Sequence, residues 1–207
     1  STLPISLMVR LMPAAATAES RAAAEQLSYR SMMLVYLELP VAQFTEFDAH
    51  YFPGSDVKIT RLSEPKNYAA RTEPAQRTVL CAELPAAPTD SFWSASDPEL
   101  AELVAGDLAR SGIPLPAKPT AVAVRRLPQA YPIYTIGYEG PFRSLDRWAA
   151  DLPAFLSFGR QGLFAHDNTH HALAMAYAAA ECLGPTGFDS GRWERHRAVF
   201  ETHVVED

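Results

Sequence analysis

The sequence predicts an α+β protein: a mixed, largely antiparallel sheet with flanking helices, followed by a C-terminal strand–turn–helix unit. Three observations carry this. Apolar runs of strand length stop at prolines, as in Ser31 to Leu39 before Pro40 and Thr78 to Leu84 before Pro85, where strands hand over to loops. Ser96 to Ser111 carries the one-sided apolar stripe of a helix. The last third turns alanine-rich, with a helical stretch that ends at Gly184-Pro185.

Size and charge narrow the function classes. The chain has 207 residues, 48% hydrophobic and 20% charged, enough for a sizeable core. Its formal net charge is −6, and its 18 Lys and Arg are scattered rather than massed, which argues against a nucleic-acid partner. No apolar run approaches the ~20 residues of a membrane span, and Arg10 interrupts the N-terminal apolar stretch where a signal peptide would continue. Cys81 and Cys182 lack metal-ligand spacing and read as buried thiols. A reducing cytoplasm is the expected compartment. The 17 prolines stiffen the connections between short strands.

Along the chain, STLPISLMVRLMP reads as a strand end turning into a short helix, and Ser20 to Tyr29 is helix-compatible. Ser31 to Leu39 is expected to be a strand buried on both faces, and Tyr51 to Gly54 a turn. Val57 to Leu62 alternates like a half-covered strand. It should pair antiparallel with Thr78 to Leu84 across an exposed, proline-punctuated connection. Ser96 and Glu99 form a capping box for the helix that Gly112 terminates. Val122 to Leu127 is a further strand, continued in extended form by Ala130 to Gly137. Asp146 to Asp151 suits a short helix and Phe155 to Phe158 a short strand. Helices are expected from Thr169 or His170 to Leu183 and from Ser190 to about Val204.

Common chemical signatures are missing: there is no G-x-G-x-x-G, phosphate loop, G-x-S-x-G elbow or H-E-x-x-H. The block His166-Asp167-Asn168-Thr169-His170-His171 admits a metal reading. However, a helix starting at Thr169 leaves His166 outside it, and an N-cap by Asp167 or Asn168 accounts for the same letters. No metal is expected. The stronger unit is residues 155 to 183. Gly159 and Gly162 let the backbone approach another group closely, and Arg160 offers a fork for phosphate or carboxylate. The helix that follows presents unpaired N–H groups and a partial positive charge. Such a unit suits an anionic, planar cofactor.

The run GRQGLFAHDNTHHALAMAYAAAE resembles the C-terminal flavin motif of FAD-dependent enzymes of the amine oxidase, protoporphyrinogen oxidase and UDP-galactopyranose mutase group. The segments LSYRSMMLVYLELP, YFPGSDVKITRLSEPKNYA, TVLCAELP and RRLPQAYPIYTIGY are similar, in order, to the substrate-domain strands of that group. The resemblance implies that FAD lies against Gly159, Arg160, Gln161, Gly162, Leu163 and Phe164. It also implies that backbone N–H groups around Asn168, Thr169 and His170 face the flavin N1–C2=O edge, where charge develops on reduction. His170 stands where the group carries an acidic residue.

By the same resemblance, residues 1–30 connect the FAD and substrate domains, residues 31–140 form the substrate-domain sheet and helix, and residues 141–207 are the C-terminal part of the FAD domain. The match covers only the second half of such an enzyme. An N-terminal dinucleotide-binding half, as a separate chain or a removed segment, is the expected partner, along with a small-molecule substrate. Arg61, Arg125, Tyr131 and Tyr134 are the substrate-side candidates: the arginines for an anionic group, the tyrosines as walls on the strand returning toward the flavin. Alternation sends Arg125 and Arg126 to opposite faces. Trp93, Trp148 and Trp193 read as core or interface. The expected function is the C-terminal portion of an amine oxidase-like FAD-dependent oxidoreductase. A flavin-dependent sugar mutase and a non-catalytic assembly module are the alternatives.

Overall fold

A computed structural model describes residues 1–69, 73–185 and 187–205 of the chain. The elements run α1 (Ile5–Leu11), α2 (Ala18–Gln26), β1 (Ser28–Leu39), β2 (Ala49–Tyr51), β3 (Arg61–Ser63), α3 (Pro65–Tyr68), β4 (Thr78–Pro85) and α4 (Asp97–Arg110). They continue with β5 (Ala121–Ile133), α5 (Glu139–Ala150), α6 (Gly159–Gly162), α7 (Thr169–Glu181), β6 (Leu183–Gly184), β7 (Gly187–Phe188) and α8 (Ser190–Phe200). The α+β class with a mostly antiparallel sheet is as expected. The chain divides into two compact units, one formed by Arg30–Ala130 and the other by Ser1–Tyr29 together with the chain from Tyr131 onward.

The Arg30–Ala130 unit is built on a five-stranded sheet of order β2-β3-β4-β1-β5. β1 and β4 pair antiparallel with Tyr36 opposite Cys81, and β3 joins β4 with Leu62 opposite Ala82. Met33, Val35, Leu37 and Leu39 point to one face of β1 and are fully buried. They share a core with Leu80, Ala82 and Leu84 of β4 and with Leu100, Val104 and Leu108 of α4. The i, i+4, i+8 spacing on α4 is the stripe read from the sequence, and each such side chain contributes ~1.5–3 kcal/mol by leaving water. Burial of β1 on both faces is not met, because Leu34, Tyr36 and Glu38 on the second face are only partly covered.

Several expected elements shift for identifiable reasons. The strand expected over Val57 to Leu62 shrinks to Arg61–Ser63, because the N–H groups of Lys58 and Ile59 donate to Asp107 Oδ2 at 2.7 and 3.1 Å instead of to a neighbouring strand. Tyr51, placed in a turn by composition, ends β2. The connection after β3 is not wholly exposed. Glu64 is buried there, and its carboxylate accepts from the N–H groups of Phe44 and Thr45 and from the Thr78 hydroxyl. Residues 70–72 of that connection lie outside the described residues.

In the second unit, α1, α2 and α5 enclose Ile5, Val9, Leu27, Leu145, Trp148 and Phe164. Trp148 Nε1 donates to the Ala15 carbonyl at 2.9 Å. α7 and α8 meet over Met175, Cys182, Trp193 and Phe200. A bidentate pair between Arg197 and Asp146, at 3.0 and 2.9 Å, ties α8 to α5. The α2 helix stops at Gln26, short of Tyr29, because Ser28 already belongs to β1. The α5 helix begins seven residues before Asp146. Phe155 to Phe158 is not a strand: it has no regular structure, and its last residue, Phe158, is extended and donates its N–H to the Ser1 carbonyl. Both cysteines are free and buried, as the sequence suggested.

Candidate functional site

The segment read as a glycine turn is the single-turn helix α6. Gly159 opens it at φ +80°, in the left-handed region. Its N–H donates to the Met175 thioether at 3.1 Å, which seats the turn on α7. Ser157 Oγ donates to the Gly162 carbonyl and closes the loop. A Cβ at Gly162 would stand 2.8 Å from Ser157 Oγ and 3.3 Å from the Ser1 carbonyl, and one at Gly159 would stand 3.3 Å from Thr2 Cγ2. The close approach that the two glycines permit is therefore met inside the chain, by its own residues 1, 2 and 157.

Phe164, directly after α6, is the hub of an aromatic cluster. It is buried with φ +48°, an uncommon conformation for a bulky residue. Tyr29 and Tyr134 meet it edge-on with ring centroids at 5.3 and 5.6 Å, while Tyr138 and Phe142 lie at 5.5 and 6.3 Å. Tyr134 also touches Tyr138 at 5.2 Å and is 41% exposed. Burial pushes the Tyr134 phenol up to about 12, against the opposing pull of the Arg160 charge. The Arg160 guanidinium lies 4.5 Å over the Tyr131 ring. Its Nε is buried without a hydrogen-bond partner among the described residues. Leu163 is buried in the core beside Met175, and Gln161 is half-buried.

Asn168 is the N-cap of α7, one of the two residues expected in that role. Its N–H donates to His171 Nδ1 at 3.1 Å. That bond makes Nδ1 an acceptor, so the proton of neutral His171 sits on Nε2, which faces His170 Nε2 at 3.0 Å. Asp167 is buried, and its Oδ1 lies 3.2 Å from His203 Nδ1 and 3.4 Å from His171 Nδ1. The rings of His171 and His203 stack at 4.3 Å. Burial, with His170 and His203 nearby, lowers the His171 pKa, and Asp167 opposes the shift. Asp167, His171 and His203 together offer a metal-compatible donor set. In the sequence, the metal-compatible letters of this region lie within residues 166–171. No signal in the letters joins His203 to that block. Thr169 and His170 are exposed at the first turn of α7.

The structure brings Tyr131, Tyr134, Arg160 and Phe164 together and places Arg61 and Arg125 in the other unit. Arg61 is held by Glu83, with its Nε 3.0 Å from Glu83 Oε1. Arg125 is exposed on β5. Arg126 turns the other way and donates to the Trp93 and Ala95 carbonyls at 2.5 Å each, which docks the loop ahead of α4 on β5.

The fold is known from solved structures. The entire chain aligns with a reduced UDP-galactopyranose mutase at a TM-score of 0.74 and 17% identity, covering 45% of that protein. A protein from Exiguobacterium sp. 255-15, assigned as a protoporphyrinogen oxidase, aligns with 73% of the chain at a TM-score of 0.53 and 25% identity, over 33% of its own length. The chain has the fold of the flavoenzyme group that its 159–181 run resembles. It spans less than half of either protein. No family model matches the sequence, and no curated protein sequence matches it. Among the described residues, no helix is long and apolar enough to cross a membrane.

Proposed function

We propose that this chain is the C-terminal portion or subunit of an FAD-dependent, amine oxidase-like oxidoreductase, completing a flavin site and supplying a substrate domain. The observation that carries the reading is a glycine-opened turn, α6, packed on α7, together with the N-terminus of α7. A 13-residue helix opens on Asn168, eight residues after Arg160, whose buried Nε lacks a partner among the described residues. A helix N-terminus and an unsatisfied guanidinium donor fit an anionic group. Residues Arg160, Asn168, Thr169 and His170 would face it. Gly159 and Gly162 serve the turn instead, since their open faces are filled by the chain itself. The bound flavin would supply hydride or electron transfer. This chain's share is to orient the substrate against Tyr131 and Tyr134, exclude water with the Phe164 cluster, and offset negative charge at the α7 start. Arg125 and Arg61 are the anion-binding candidates of the sheet, Arg61 at the expense of its pair with Glu83.

Such a site needs an N-terminal dinucleotide-binding half, because this chain contributes only part of its walls. The resulting enzyme would be a cytoplasmic heteromer acting on a small molecule. One observation favours a second reading, a flavin-dependent sugar mutase: the mutase aligns with the whole chain, whereas the protoporphyrinogen oxidase aligns with 73% of it. The test is co-expression with a dinucleotide-binding partner half, followed by a visible spectrum. A flavin spectrum that is lost on Arg160→Ala together with disruption of the α7 cap supports the reading. Amine-dependent dye reduction then separates an oxidoreductase from sugar-nucleotide turnover under reductant. A colourless complex with every candidate half overturns the flavin role and leaves an assembly module.

A further inference from the structure

We infer that Asp167, His171 and His203 form a binding site for one zinc-class divalent metal ion, which clips the segment after α8 to the start of α7. The inference stands apart from the flavin reading and needs no cofactor. Its first support is the donor set. Two imidazole nitrogens and a carboxylate oxygen, with all three ligand atoms within 4.8 Å of one another, suit zinc chemically. Two edges of the triangle, 3.2 Å from Asp167 Oδ1 to His203 Nδ1 and 3.4 Å to His171 Nδ1, match the ~3.3 Å edge of a tetrahedron with bonds of ~2.0–2.1 Å.

The second support is charge. The Asp167 side chain is 2% exposed, and its Oδ2 has no hydrogen-bond partner among the described residues. A buried carboxylate left with one unmatched oxygen is costly, and a divalent cation beside it supplies the missing compensation. The third support is the arrangement behind the ligands. His171 already exists with Nδ1 unprotonated, the form that a metal requires, because Asn168 N–H donates to it. Its other nitrogen faces His170 Nε2 at 3.0 Å. An outer hydrogen bond of that kind orients a ligating histidine in zinc sites. Three protein ligands leave a fourth position for water.

Coordination has a specific consequence. The His171 Nδ1 lone pair passes from the Asn168 N–H to the ion, and the stacked His171 and His203 rings open about the Asp167 oxygen. His203 lies beyond the end of α8, outside any helix or strand, so its ring can turn without disturbing an element.

The test uses the full chain after EDTA treatment and dialysis, titrated with Zn²⁺ by calorimetry and with Co²⁺ by visible spectroscopy. One ion per chain is expected, with Co²⁺ bands of a four-coordinate site and a shifted Asn168 amide resonance on Zn²⁺ addition. His203→Gln is expected to weaken Zn²⁺ binding at least ~10-fold, the lower end of what even an outer-shell change costs. His166→Gln, an exposed neighbour outside the cluster, is expected to bind as the parent does. Far-UV circular dichroism of the metal-free His203→Gln chain confirms that it is folded. Absence of stoichiometric binding overturns the inference, and so does unchanged affinity in His203→Gln or an equal loss in His166→Gln.

Discussion

The guanidinium of Arg160 sits over the ring of Tyr131 at 4.5 Å, joining α6 to the end of β5. An arginine expected to await an anion is thus already stacked on an aromatic wall. Its charge is held in a plane while Nε stays buried. Arg160→Gln and Tyr131→Leu should therefore couple. A double-mutant cycle in urea is expected to give an interaction energy of ~0.5–1 kcal/mol, and additivity within error would mean that the stack does not persist in solution.

Phe164 touches four aromatic rings and is 2% exposed. Phe164→Ala should cost ~3–5 kcal/mol in equilibrium unfolding, since four rings lose their common partner and cannot all collapse inward. A cost below ~1 kcal/mol would show that the cluster is loosely packed.

Met175 accepts the buried Gly159 N–H through its thioether. Met175→Leu keeps the volume, which alone costs less than ~1.5 kcal/mol, but it leaves that N–H without an acceptor at ~1–3 kcal/mol. The combined loss should exceed that of a simple core swap, and the Gly159 amide should exchange faster with deuterium. Unchanged exchange would remove the sulfur from the account.

The lowered pKa of His171 sets a pH dependence. In the folded chain His171 resists protonation more than in the unfolded chain, where its value is near 6.5. Below that value the unfolded state binds the extra proton first, so the stabilising contribution is full above it and is lost as pH falls. Thermal melts from pH 8 downward should hold steady and then decline below about 6.5. The decline should be shallower in His171→Gln. Identical profiles for the two chains would contradict the assignment.

Asp107, inside the sheet unit, accepts the N–H groups of Lys58 and Ile59 and pairs with Arg110. Asp107→Ala should destabilise this unit by ~1–3 kcal/mol for the buried Ile59 N–H left unsatisfied, with a smaller loss at the more exposed Lys58 N–H. Asp107→Asn, which keeps one acceptor oxygen, should recover part of that loss in denaturant titrations.

Asp107 also shows where the sequence could not be read through. VKITRL alternates like a strand, yet two of its N–H groups go to a carboxylate 48 and 49 residues away, and the ladder forms only at Arg61–Ser63. Glu64 is the same case: a glutamate in a proline-rich connection that is buried because two loop N–H groups and Thr78 converge on it. Where the decisive partner is local, the reading holds. Glu99 Oε2 receives the Ser96 N–H at 2.8 Å, and Asn168 caps α7. At the candidate site, Arg160 is legible from its place between two glycines, while Tyr131, Tyr134 and Phe164 come only through the family resemblance, and the contacts that join the four are not legible.

What the chain's letters determine on their own is what depends on near neighbours and on period: the apolar stripe of α4, the proline-ended β1 and β4, the cap of α7, and the glycines that permit α6. Those patterns are local because helix and strand periods repeat within a few residues. The three-dimensional arrangement alone decides what fills the space beside Gly159 and Gly162, which rings surround Phe164, and that His203 closes on Asp167. Each of these pairs groups that the chain separates, and burial assigns a polar atom whichever partner the packing brings within hydrogen-bond reach.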